Sequence, residues 1–311
     1  MEKIRIGILG YGNLGKAVEK AVKRQPDMEL TGIYSRRNLE HPLVKSIHML
    51  KSGEPLDVLI LCTGSATDLP EQTPAFAQKY HVVDSFDHHQ QIPLHYSKVD
   101  TAAKAGGKLA LVSCGWDPGL FSMMRALFSA VMPKARVYTF WGKGISQGHS
   151  DAIRRIHGVK DARQYTVPRQ SVIEAVNSYS IGTDILAPTE MHKRECYVVA
   201  EEGADLQRIE AEIKSMPDYF AGYETTVHFI SQEKLDEEHQ GFPHGGTVIG
   251  NGEEAGGAFS LALSSNPDFT AGVLTAYARA VFREAQKGGM GCRTVMEMPL
   301  SLLCEDIFIH I

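Results

Sequence analysis

A glycine-rich segment near the start of the chain, Gly-Tyr-Gly-Asn-Leu-Gly at positions 10–15, constrains the fold more than any other feature. It follows an apolar run over Ile4–Leu9 and precedes apolar residues at helical spacing from Leu14 to Val22. Glycines at this spacing allow a tight turn, close approach of the backbone to a ligand and close packing of a helix on a strand. The pattern therefore predicts a strand, a turn and a helix whose first N–H groups can bind a pyrophosphate. The alternative is a glycine-rich turn that binds no ligand.

Strand and helix patterns alternate through the first third of the chain. Further strands are predicted over 28–34, 58–62, 82–84 and 108–113, and helices over 70–80 and 97–105. Such alternation is typical of a parallel sheet with right-handed helical crossovers. Together with the glycine-rich turn, it predicts an α/β fold in which the first part of the chain is a Rossmann-type dinucleotide-binding domain.

A different pattern follows residue 115. After a helical pattern over Leu120–Val131, β-branched and aromatic runs cover 137–141, 165–167, 196–200, 225–230, 247–249 and 258–263, with an amphipathic helix over 206–213. The gaps between these runs are mostly short, which favours antiparallel pairing and predicts an α+β domain with a mixed or antiparallel sheet. We predict that the dinucleotide-binding domain spans 1–115 and about 268–311, with a long helix over 270–286, and that a second domain spans 116–267.

The end of the second predicted strand indicates which dinucleotide binds. An NAD site usually has an Asp or Glu about 20 residues after the glycines, where it accepts hydrogen bonds from the ribose 2′-hydroxyl. This chain has Ser35, Arg36 and Arg37 there. Guanidinium groups bind phosphate oxygens through a planar fork, whereas a carboxylate would repel them, so NADP is the predicted cofactor. The alternative is that both arginines are merely solvated at a strand end.

Polar residues also follow the later strands of the predicted sheet, and ligands of open α/β sheets bind beyond the carboxyl ends of the strands. The predicted cofactor-binding residues are Gly10, Tyr11, Gly12, Asn13, Leu14, Gly15, Ser35, Arg36, Arg37, Thr63, Gly64, Ser65, Ala66, Ser85, Phe86, Asp87, Cys114, Gly115, Trp116, Asp117 and Pro118. Asp87 and Asp117 are the predicted catalytic residues, because carboxylates beside the nicotinamide can hold an ammonium group or take its proton. The alternatives are an N-cap role for Asp117, with Pro118 as the first helical residue, and a strand-end cap role for Asp84.

The composition of the 311-residue chain argues against several classes of partner. Its formal net charge of −5 and pI near 6.2 give no electrostatic reason to expect nucleic acid or an anionic membrane. No apolar run approaches the ~18–20 residues that span a bilayer, and no leader pattern is expected at the N-terminus. The five cysteines are scattered, which predicts buried thiols in a cytoplasmic protein. His88 and His89 are expected in a turn or at the surface, and no metal is predicted.

Three clusters of polar residues and glycines mark the second domain, at 140–149, 192–194 and 243–246. Glycines beside Gln147 and His244 would let backbone groups approach a ligand closely. Trp141 is expected in the core or in a pocket wall. From its local pattern alone, Arg194 is expected at the surface beside a strand.

Longer motifs are spread over nearly the whole chain. They are GYGNLG at 10–15, SRR at 35–37, CTGSATD at 62–68, GWDPG at 115–119, TFWGKGISQGHSDA at 139–152, QYTVP at 164–168, HKREC at 192–196, MPDYF at 216–220, PHGG at 243–246 and NPDFT at 266–270. With these motifs the sequence closely resembles meso-diaminopimelate dehydrogenase. The segments 38–55 and 172–189 match nothing in that family, so no residue role is transferred to them.

The resemblance implies NADP-dependent oxidative deamination of the D-configured centre of meso-2,6-diaminopimelate, which gives L-2-amino-6-oxopimelate, ammonia and NADPH. The reverse reaction supplies a precursor of lysine and of the cell wall. A homodimer is implied, with a dinucleotide domain that the C-terminal end completes, a dimerisation domain and a substrate-covering domain. The implied substrate-binding residues are Asp87, Trp116, Asp117, Trp141, Gln147, Gly148, Thr166, Arg194, His244 and Asn266.

The implied roles divide these residues between the two ends of the substrate. The two acids face the amino group at the reacting centre, the two tryptophans shape the pocket, Gln147 and Gly148 hold the nearby carboxylate, and the other four bind the distant amino acid end. We expect Asp117 or Asp87 to take the amino proton, directly or through water, with Lys193 as the alternative. Two other functions stay open: an NADP-dependent dehydrogenase of another D-amino acid, and a non-catalytic NADP-binding redox sensor.

Overall fold

A computed structural model of the chain describes residues 2–178, 185–241, 243–253 and 255–304. The helices are α1 (Asn13–Lys23), α2 (Met49–Ser52), α3 (Leu69–Ala77), α4 (Ile92–Ala105), α5 (Leu120–Val131), α6 (Gln147–Arg154), α7 (Gln170–Asn177), α8 (Pro188–Met191), α9 (Leu206–Ser215), α10 (Gln232–Glu238) and α11 (Asn266–Gln286). The strands are β1 (Ile4–Leu9), β2 (Met28–Ser35), β3 (Val44–Ser46), β4 (Val58–Leu61), β5 (His81–Asp84), β6 (Leu109–Leu111), β7 (Arg136–Trp141), β8 (Gly144–Ile145), β9 (Val159–Pro168), β10 (His192–Ala200), β11 (Thr225–Phe229), β12 (His244–Asn251), β13 (Gly256–Leu263) and β14 (Gly291–Arg293).

The chain divides into two compact units, which we term the first and the second unit. The first comprises Met1–Met123 with Pro267–Ile311, and the second comprises Met124–Asn266. The domain bounds expected from the sequence, 1–115 with about 268–311 and 116–267, stay a prediction about separately folding domains.

The first unit is built on a parallel sheet. Its strand order is β14-β6-β5-β4-β1-β2-β3, and each pairing in it is parallel. Strands β1 to β6 have the spatial order 3-2-1-4-5-6 of doubly wound dinucleotide-binding folds. The predicted α/β class with a Rossmann-type domain is therefore confirmed. The sequence patterns did not predict β3 or β14, because each is only three residues long.

Side chains of this sheet alternate between two cores on its opposite faces. On one face, Ile6 of β1 lies in a cluster with Val18 of α1 and Leu274 of α11. On the other face, Leu59 of β4 lies in a cluster with Val99 of α4. Each fully buried aliphatic side chain of this kind contributes about 1.5–3 kcal/mol to stability. Burial on both faces explains why these strands are continuous apolar runs, and it fixes the strand ends from which the loops emerge.

The second unit contains two sheets, with strand orders β11-β10-β9-β8 and β13-β12-β7. Strands β7, β12 and β13 pair antiparallel, and so do β8, β9 and β10. Strand β11 is parallel to β10, because the chain crosses back through α9 between them. The predicted α+β domain with a mixed or antiparallel sheet is confirmed, whereas the expectation of antiparallel pairing is wrong for β10 and β11.

Four of the five cysteines, Cys62, Cys114, Cys196 and Cys292, are buried free thiols, as predicted, and Cys304 is partly exposed. Within the described residues, none of the helices has both the length and the apolar character needed to cross a bilayer. In the same part of the chain, no group of three or more His, Cys, Asp or Glu side chains could hold a metal ion.

Candidate active site

The glycine-rich turn follows β1, which lies between β2 and β4 in the sheet. Ligands of open α/β sheets bind at such a switch point, where the chain continues to opposite sides of one strand. Gly10 has a φ of +91°, and a Cβ on it would lie 2.7 Å from Cγ2 of Thr63. A Cβ on Gly15 would lie 2.1 Å from the carbonyl oxygen of Gly10. Only glycine fits at these two positions, so α1 can begin tightly against β1.

Gly12 faces open space instead, since a Cβ on it would meet nothing within 4 Å. It directly precedes α1 and supplies no side-chain cap, and the first turn of α1 contains no acidic residue. The helix therefore presents uncapped N–H groups beside a stretch of backbone that a ligand can approach. A pyrophosphate requires both features, so this turn fits the predicted dinucleotide.

A pocket beside the turn contains the residues predicted to select the cofactor. Its lining residues are Leu9, Gly10, Tyr11, Gly12, Tyr34, Ser35, Arg36, Arg37, Ile47, Cys62, Thr63, Asp68 and Gln72. Ser35 Oγ accepts the backbone N–H of Arg37 at 2.9 Å, which shapes the end of β2. Both arginine side chains are exposed at the rim of the pocket. Two guanidinium groups next to the glycine-rich turn fit a 2′-phosphate.

Two carboxylates near this pocket were not predicted. Asp68 Oδ1 lies 2.8 Å from a guanidinium nitrogen of Arg36. Glu19, on α1, accepts hydrogen bonds from the Tyr11 hydroxyl and from the Lys23 ammonium group. Burial opposes ionisation of Glu19, but these two hydrogen bonds, together with the charges of Lys23 and His41, outweigh it and keep the pKa of Glu19 below its usual value. Glu19 therefore anchors the tyrosine of the glycine-rich turn.

The two predicted catalytic acids follow neighbouring strands, because β5 and β6 pair in parallel. Asp87 lies three residues beyond β5 and is exposed. The hydroxyl of Ser65, in the loop after β4, donates to the Asp87 carboxylate and accepts its backbone N–H at 3.0 Å. The structure thus brings a predicted cofactor-binding residue into contact with a predicted catalytic residue.

Asp117 is half-buried in the loop between β6 and α5. Helix α5 begins at Leu120, whose N–H donates to the carbonyl of Gly115 at 3.1 Å. The residue before the helix is Gly119, so the alternative that Asp117 is the N-cap and Pro118 the first helical residue is wrong. We term the loops that carry Asp87 and Asp117 the acid edge.

The other predicted residues of the first unit lie in the same loops. Gly15, Ser35, Phe86, Cys114, Gly115 and Pro118 are buried, and Gly10, Tyr11, Leu14, Thr63, Ser65, Ser85 and Trp116 are half-buried. Gly12, Asn13, Arg36, Arg37, Gly64 and Ala66 are exposed. The buried members shape the loops, and the exposed members are accessible to a ligand.

Behind the acid edge lies a hydrogen-bond network centred on Asp84, the last residue of β5, which has no exposed surface. Its carboxylate accepts hydrogen bonds from Thr73 Oγ1 at 2.8 Å, His95 Nε2 at 2.7 Å, and the backbone N–H groups of Phe86 at 3.1 Å and Ser113 at 2.9 Å. His95 is 2% exposed, and its ring stacks on that of Phe86 with centroids 4.2 Å apart. Asp84 therefore has the strand-end cap role given as an alternative, through the N–H of Phe86, but it also binds three further donors.

In the second unit, strand register brings Arg194 of β10 directly opposite Thr166 of β9. The guanidinium group donates a hydrogen bond to Thr166 Oγ1 and lies over the ring of Tyr223, 4.0 Å from its centroid. Arg194 is only 8% exposed, so the expectation of a surface residue is wrong. Its burial lowers its pKa. We term these three residues the guanidinium site.

Arg194 has no acidic partner within the described residues. The pKa of Arg194 is influenced by its burial and by two neighbouring groups, Tyr223 and Cys196. The Nε atom of Arg194 has no hydrogen-bond partner. A buried cation is normally paired with an anion, since removing it from water is costly. A carboxylate bound at this position would supply the missing negative charge.

Among the other buried side-chain atoms of this unit that lack hydrogen-bond partners, three belong to His149 and Gln164. They are Nε2 of His149 and both amide atoms of Gln164, two residues before Thr166 on β9. His149 Nδ1 lies 2.6 Å from Oγ of Ser146, the N-cap of α6. Burial, with a contribution from the nearby Arg194 charge, lowers the pKa of His149 to about 4. His149 is therefore neutral at pH 7 and can donate or accept a hydrogen bond without adding charge.

His244, the first residue of β12, lies close to the guanidinium site. A Cβ on Gly144 would be 3.2 Å from the Cα of His244, and Gly144 pairs in register with Thr166. Gly144 of β8 therefore lies between His244 and Thr166, and Arg194 of β10 follows on the other side of Thr166. Asn266 is the first residue of α11.

Three predicted residues lie near the end of β7 and the start of α6. Trp141 ends β7, and its ring stacks on that of His192 with centroids 5.4 Å apart. Trp141 also lines a pocket with Tyr138 and Thr139. Gly148 is exposed, and a Cβ on it would meet nothing within 4 Å. Gln147 begins α6, and its side chain lies outside the described residues.

Comparison with known proteins identifies the family. The family model of the diaminopimelic acid dehydrogenase C-terminal domain matches residues 115–264. The meso-diaminopimelate D-dehydrogenase of Ureibacillus thermosphaericus is 53% identical over 316 residues, which cover 97% of this chain and 96% of that protein. This chain belongs to the meso-diaminopimelate D-dehydrogenase family.

Solved structures agree with this assignment to the meso-diaminopimelate D-dehydrogenase family. The C. glutamicum DAP dehydrogenase in complex with DAP is 47% identical, with a TM-score of 0.91, and the match covers 100% of this chain and 98% of the other. An engineered D-amino acid dehydrogenase bound to NADP+ is 45% identical, with a TM-score of 0.85, and the match covers 99% of this chain and 98% of the other. The fold described above is therefore shared over the whole length of these proteins.

Motif matching to the meso-diaminopimelate D-dehydrogenase family missed the buried polar residues that surround the site. His95 lies four residues before Val99 on the buried side of α4, where a polar residue requires a buried partner, but the predicted helix over 97–105 began after it. Glu19 falls among the apolar positions of α1 in the same way. Nothing in the local sequence distinguishes His149 from a surface residue, since its burial comes from the sheet beneath α6.

Proposed function

We propose that this protein catalyses the reversible, NADP-dependent oxidative deamination of the D-centre of meso-2,6-diaminopimelate, which yields L-2-amino-6-oxopimelate and ammonia. The observation that carries the proposal is the buried guanidinium of Arg194, which has no acidic partner among the described residues. Such a group favours a substrate with a second carboxylate far from the reacting centre. A simple D-amino acid has no such group, whereas meso-diaminopimelate has one.

The cofactor is held, in this proposal, by residues 10–15 and by the arginine pair. The N–H groups at the start of α1 bind the pyrophosphate, and Arg36 and Arg37 bind the 2′-phosphate. When bound, NADP+ accepts a hydride from the α-carbon of the D-centre. The open backbone at Gly12 and the uncapped helix support this role. The ion pair of Arg36 with Asp68 must open or be shared when the phosphate binds.

Asp87 and Asp117 act, in this proposal, on the amino group at the reacting centre. A carboxylate can bind the substrate ammonium and then take its proton, directly or through water, which leaves the neutral amine that can lose hydride. Loss of hydride gives an imine, and water attacks its carbon to release ammonia and leave the oxo group. Asp87 already accepts a hydrogen bond from Ser65, so a proton could pass between Asp87 and the solvent. Lys193 is a weaker alternative, because its ammonium group is paired with Glu195 at 3.1 Å.

The distant amino acid end is held, in this proposal, by the guanidinium site with His244 and Asn266. Arg194 and Thr166 bind the distant carboxylate through charge-assisted and neutral hydrogen bonds. Near the reacting centre, Trp116 and Trp141 form pocket walls, and Gln147 with Gly148 hold the other carboxylate. Specificity follows, because a smaller amino acid would leave the buried guanidinium unpaired.

Stereoisomers of the substrate provide the test. NADPH formation is measured with the meso, D,D and L,L isomers of 2,6-diaminopimelate, and with D-alanine as a simple D-amino acid. We expect turnover of the meso isomer and none of the L,L isomer, which lacks a D-centre. Equal turnover of D-alanine would favour a general D-amino acid dehydrogenase. NADPH binding without turnover of any compound would favour a redox sensor.

We also propose that the enzyme acts as a homodimer in the cytoplasm and supplies a precursor of lysine and the cell wall, as its resemblance to meso-diaminopimelate dehydrogenase implies. Light scattering after size-exclusion chromatography tests the dimer. A mass near 34 kDa, that of one chain, would exclude it.

A further inference from the structure

One carboxylate is attached to both loops of the acid edge. Asp84 Oδ1 accepts the backbone N–H of Phe86, which directly precedes Asp87, and the backbone N–H of Ser113, the second residue of the loop that carries Asp117. The backbone carbonyl of Asp84 also accepts the N–H of Cys114 at 2.9 Å. The two loops are therefore held at a fixed spacing by a single residue.

The other carboxylate oxygen of Asp84 is held by two helices. Oδ2 accepts hydrogen bonds from Thr73 of α3 and His95 of α4. All four hydrogen bonds end on a group with no exposed surface. A buried carboxylate is costly, so an apolar side chain would stabilise a purely structural site at least as well. A charged carboxylate at this position is explained better by its hydrogen bonds, because they fix the orientation of the backbone N–H groups of Phe86 and Ser113.

The backbone conformation of Ser113 shows the effect of its hydrogen bond to Asp84. Ser113 has a φ of +56°, in the left-handed region that residues other than glycine rarely adopt. Its side-chain hydroxyl is buried and has no hydrogen-bond partner, so the hydroxyl does not hold this conformation. The hydrogen bond from its N–H to Asp84 does, and it turns the chain toward Asp117.

His95 acts on the other loop as well as on Asp84. Its ring lies nearly parallel to that of Phe86, at 23° and 4.2 Å between centroids. Nδ1 of His95 is buried and has no partner, so Asp84 is its hydrogen-bond partner among the described residues. His95 therefore orients the carboxylate through Nε2 and the Asp87 loop through its ring.

We propose that Asp84, oriented by His95, is a positioning residue that sets the spacing of the Asp87 and Asp117 carboxylates. This inference rests on the proposed function, because it assumes that both acids serve the same reacting centre. Neither Asp84 nor His95 is exposed, so neither touches substrate or cofactor directly. Their effect is on turnover, through the geometry of the acids, with little effect on cofactor binding.

The test compares His95→Leu, His95→Gln and Asp84→Asn in the full chain. Leu fills the volume without a donor, and Gln restores an N–H donor. We expect His95→Leu to lower kcat for meso-diaminopimelate by about 10- to 100-fold, because small displacements of catalytic groups cost that much. His95→Gln should recover part of the loss. The Kd of NADPH should change much less than kcat, because the glycine-rich turn and the arginine pair, which hold the phosphates in the proposed function, are untouched.

A control separates positioning from general destabilisation. Asp27→Asn removes the ion pair between Asp27 and Arg279, whose Nε lies 2.6 Å from the carboxylate. Both residues belong to the first unit and are far in sequence from the acid edge. Asp27→Asn should lower Tm as much as His95→Leu and leave kcat unchanged. Hydrogen exchange of the amides of Phe86 and Ser113 gives a readout without activity, and both should exchange faster in His95→Leu than in Asp27→Asn.

Each outcome is decisive. If the wild-type chain binds NADPH but does not turn over meso-diaminopimelate, the proposed function fails and this inference fails with it. If the wild type is active and folded His95→Leu and Asp84→Asn retain its kcat, only the positioning role is overturned. The same holds if kcat falls in His95→Leu only as far as in the equally destabilised Asp27→Asn.

Discussion

The acid edge of the first unit and the guanidinium site of the second unit treat charge in opposite ways. At the acid edge Asp87 is exposed and Asp117 half-buried, and the buried charge, Asp84, is saturated with hydrogen bonds. At the guanidinium site Arg194 is buried and lacks an acidic partner among the described residues. The acid edge therefore leaves its reactive carboxylates accessible, whereas the guanidinium site contains a buried positive charge that an anionic ligand can neutralise.

The difference indicates a division of labour. Groups that exchange protons require access to water or substrate, and their buried support must be complete so that they do not move. A group that selects a substrate gains most when the wrong ligand leaves it unpaired in a low-dielectric site. Turnover should therefore depend on the acid edge, and substrate affinity on the guanidinium site.

The largest effect is expected for Asp117→Asn and Asp87→Asn, which remove a proton acceptor and keep its shape. At least one of them should lower kcat by about 10²- to 10⁴-fold, the usual contribution of general base catalysis. Steady-state kinetics with meso-diaminopimelate measures it. Asp236→Asn, the same charge change on the exposed surface of α10, should leave kcat within about twofold. If both acid variants retained the wild-type kcat, turnover would not depend on the acid edge, and the contrast with the guanidinium site would be wrong.

A large effect of another kind is expected for Arg194→Met. It should raise KM for meso-diaminopimelate by about 10²- to 10³-fold, the cost of breaking a buried charge pair in the complex. Tm of the free protein should not fall, because an apolar side chain replaces a buried cation that lacks an acidic partner. Thermal unfolding and initial rates measure both quantities.

Arg163→Met is the matched control for that variant. Arg163 lies on β9 and is paired with Asp161 at 2.9 Å. Its replacement should leave KM unchanged. An unchanged KM in Arg194→Met as well would show that this guanidinium does not bind the substrate.

A smaller effect is expected at the cofactor pocket, where both charges are exposed at the end of β2. The double variant Arg36→Ala with Arg37→Ala should raise KM for NADP+ by about 10- to 100-fold, the value of one or two charge-assisted hydrogen bonds. KM for NAD+ should change little, because NAD+ has no 2′-phosphate. Equal losses for the two cofactors would contradict the 2′-phosphate assignment.

The two regions also differ in how far the sequence alone predicts them. Parallel strands end at one edge of a sheet, so Asp87, three residues beyond β5, and Asp117, six residues beyond β6, could be placed on neighbouring loops from the strand patterns. The glycine spacing placed the turn before α1 in the same way. What the patterns could not give was Asp84, because its partners come from α3, α4 and two loops that only the folded sheet assembles.

The guanidinium site was beyond local sequence reasoning for a different reason. Arg194 contacts Thr166 because of the antiparallel register of β9 and β10, and a shift of one residue would put the two side chains on opposite faces of the sheet. The sequence does not specify that register locally. The family resemblance assigned Arg194 to the substrate, whereas its local pattern predicted a surface residue. The parallel pairing of β10 and β11 was missed for another reason, since the mostly short gaps between the strand patterns favoured antiparallel pairing.

The smallest effect concerns pH and tests whether the second unit maintains a neutral, buried surrounding for Arg194. Burial lowers the pKa of His149 to about 4, below the 6.5 of a solvated imidazole. Above pH 6.5 both folded and unfolded chains leave His149 neutral, and below it only the unfolded chain takes up a proton, so stability is lost as pH falls toward 4. At pH 5.5 this loss is about 1 kcal/mol, or a few degrees in Tm. His149→Gln should therefore show a smaller fall in Tm between pH 7.5 and pH 5.5 than the wild type. Identical falls would mean that His149 is not kept neutral, and that solvent reaches the ring beside Arg194.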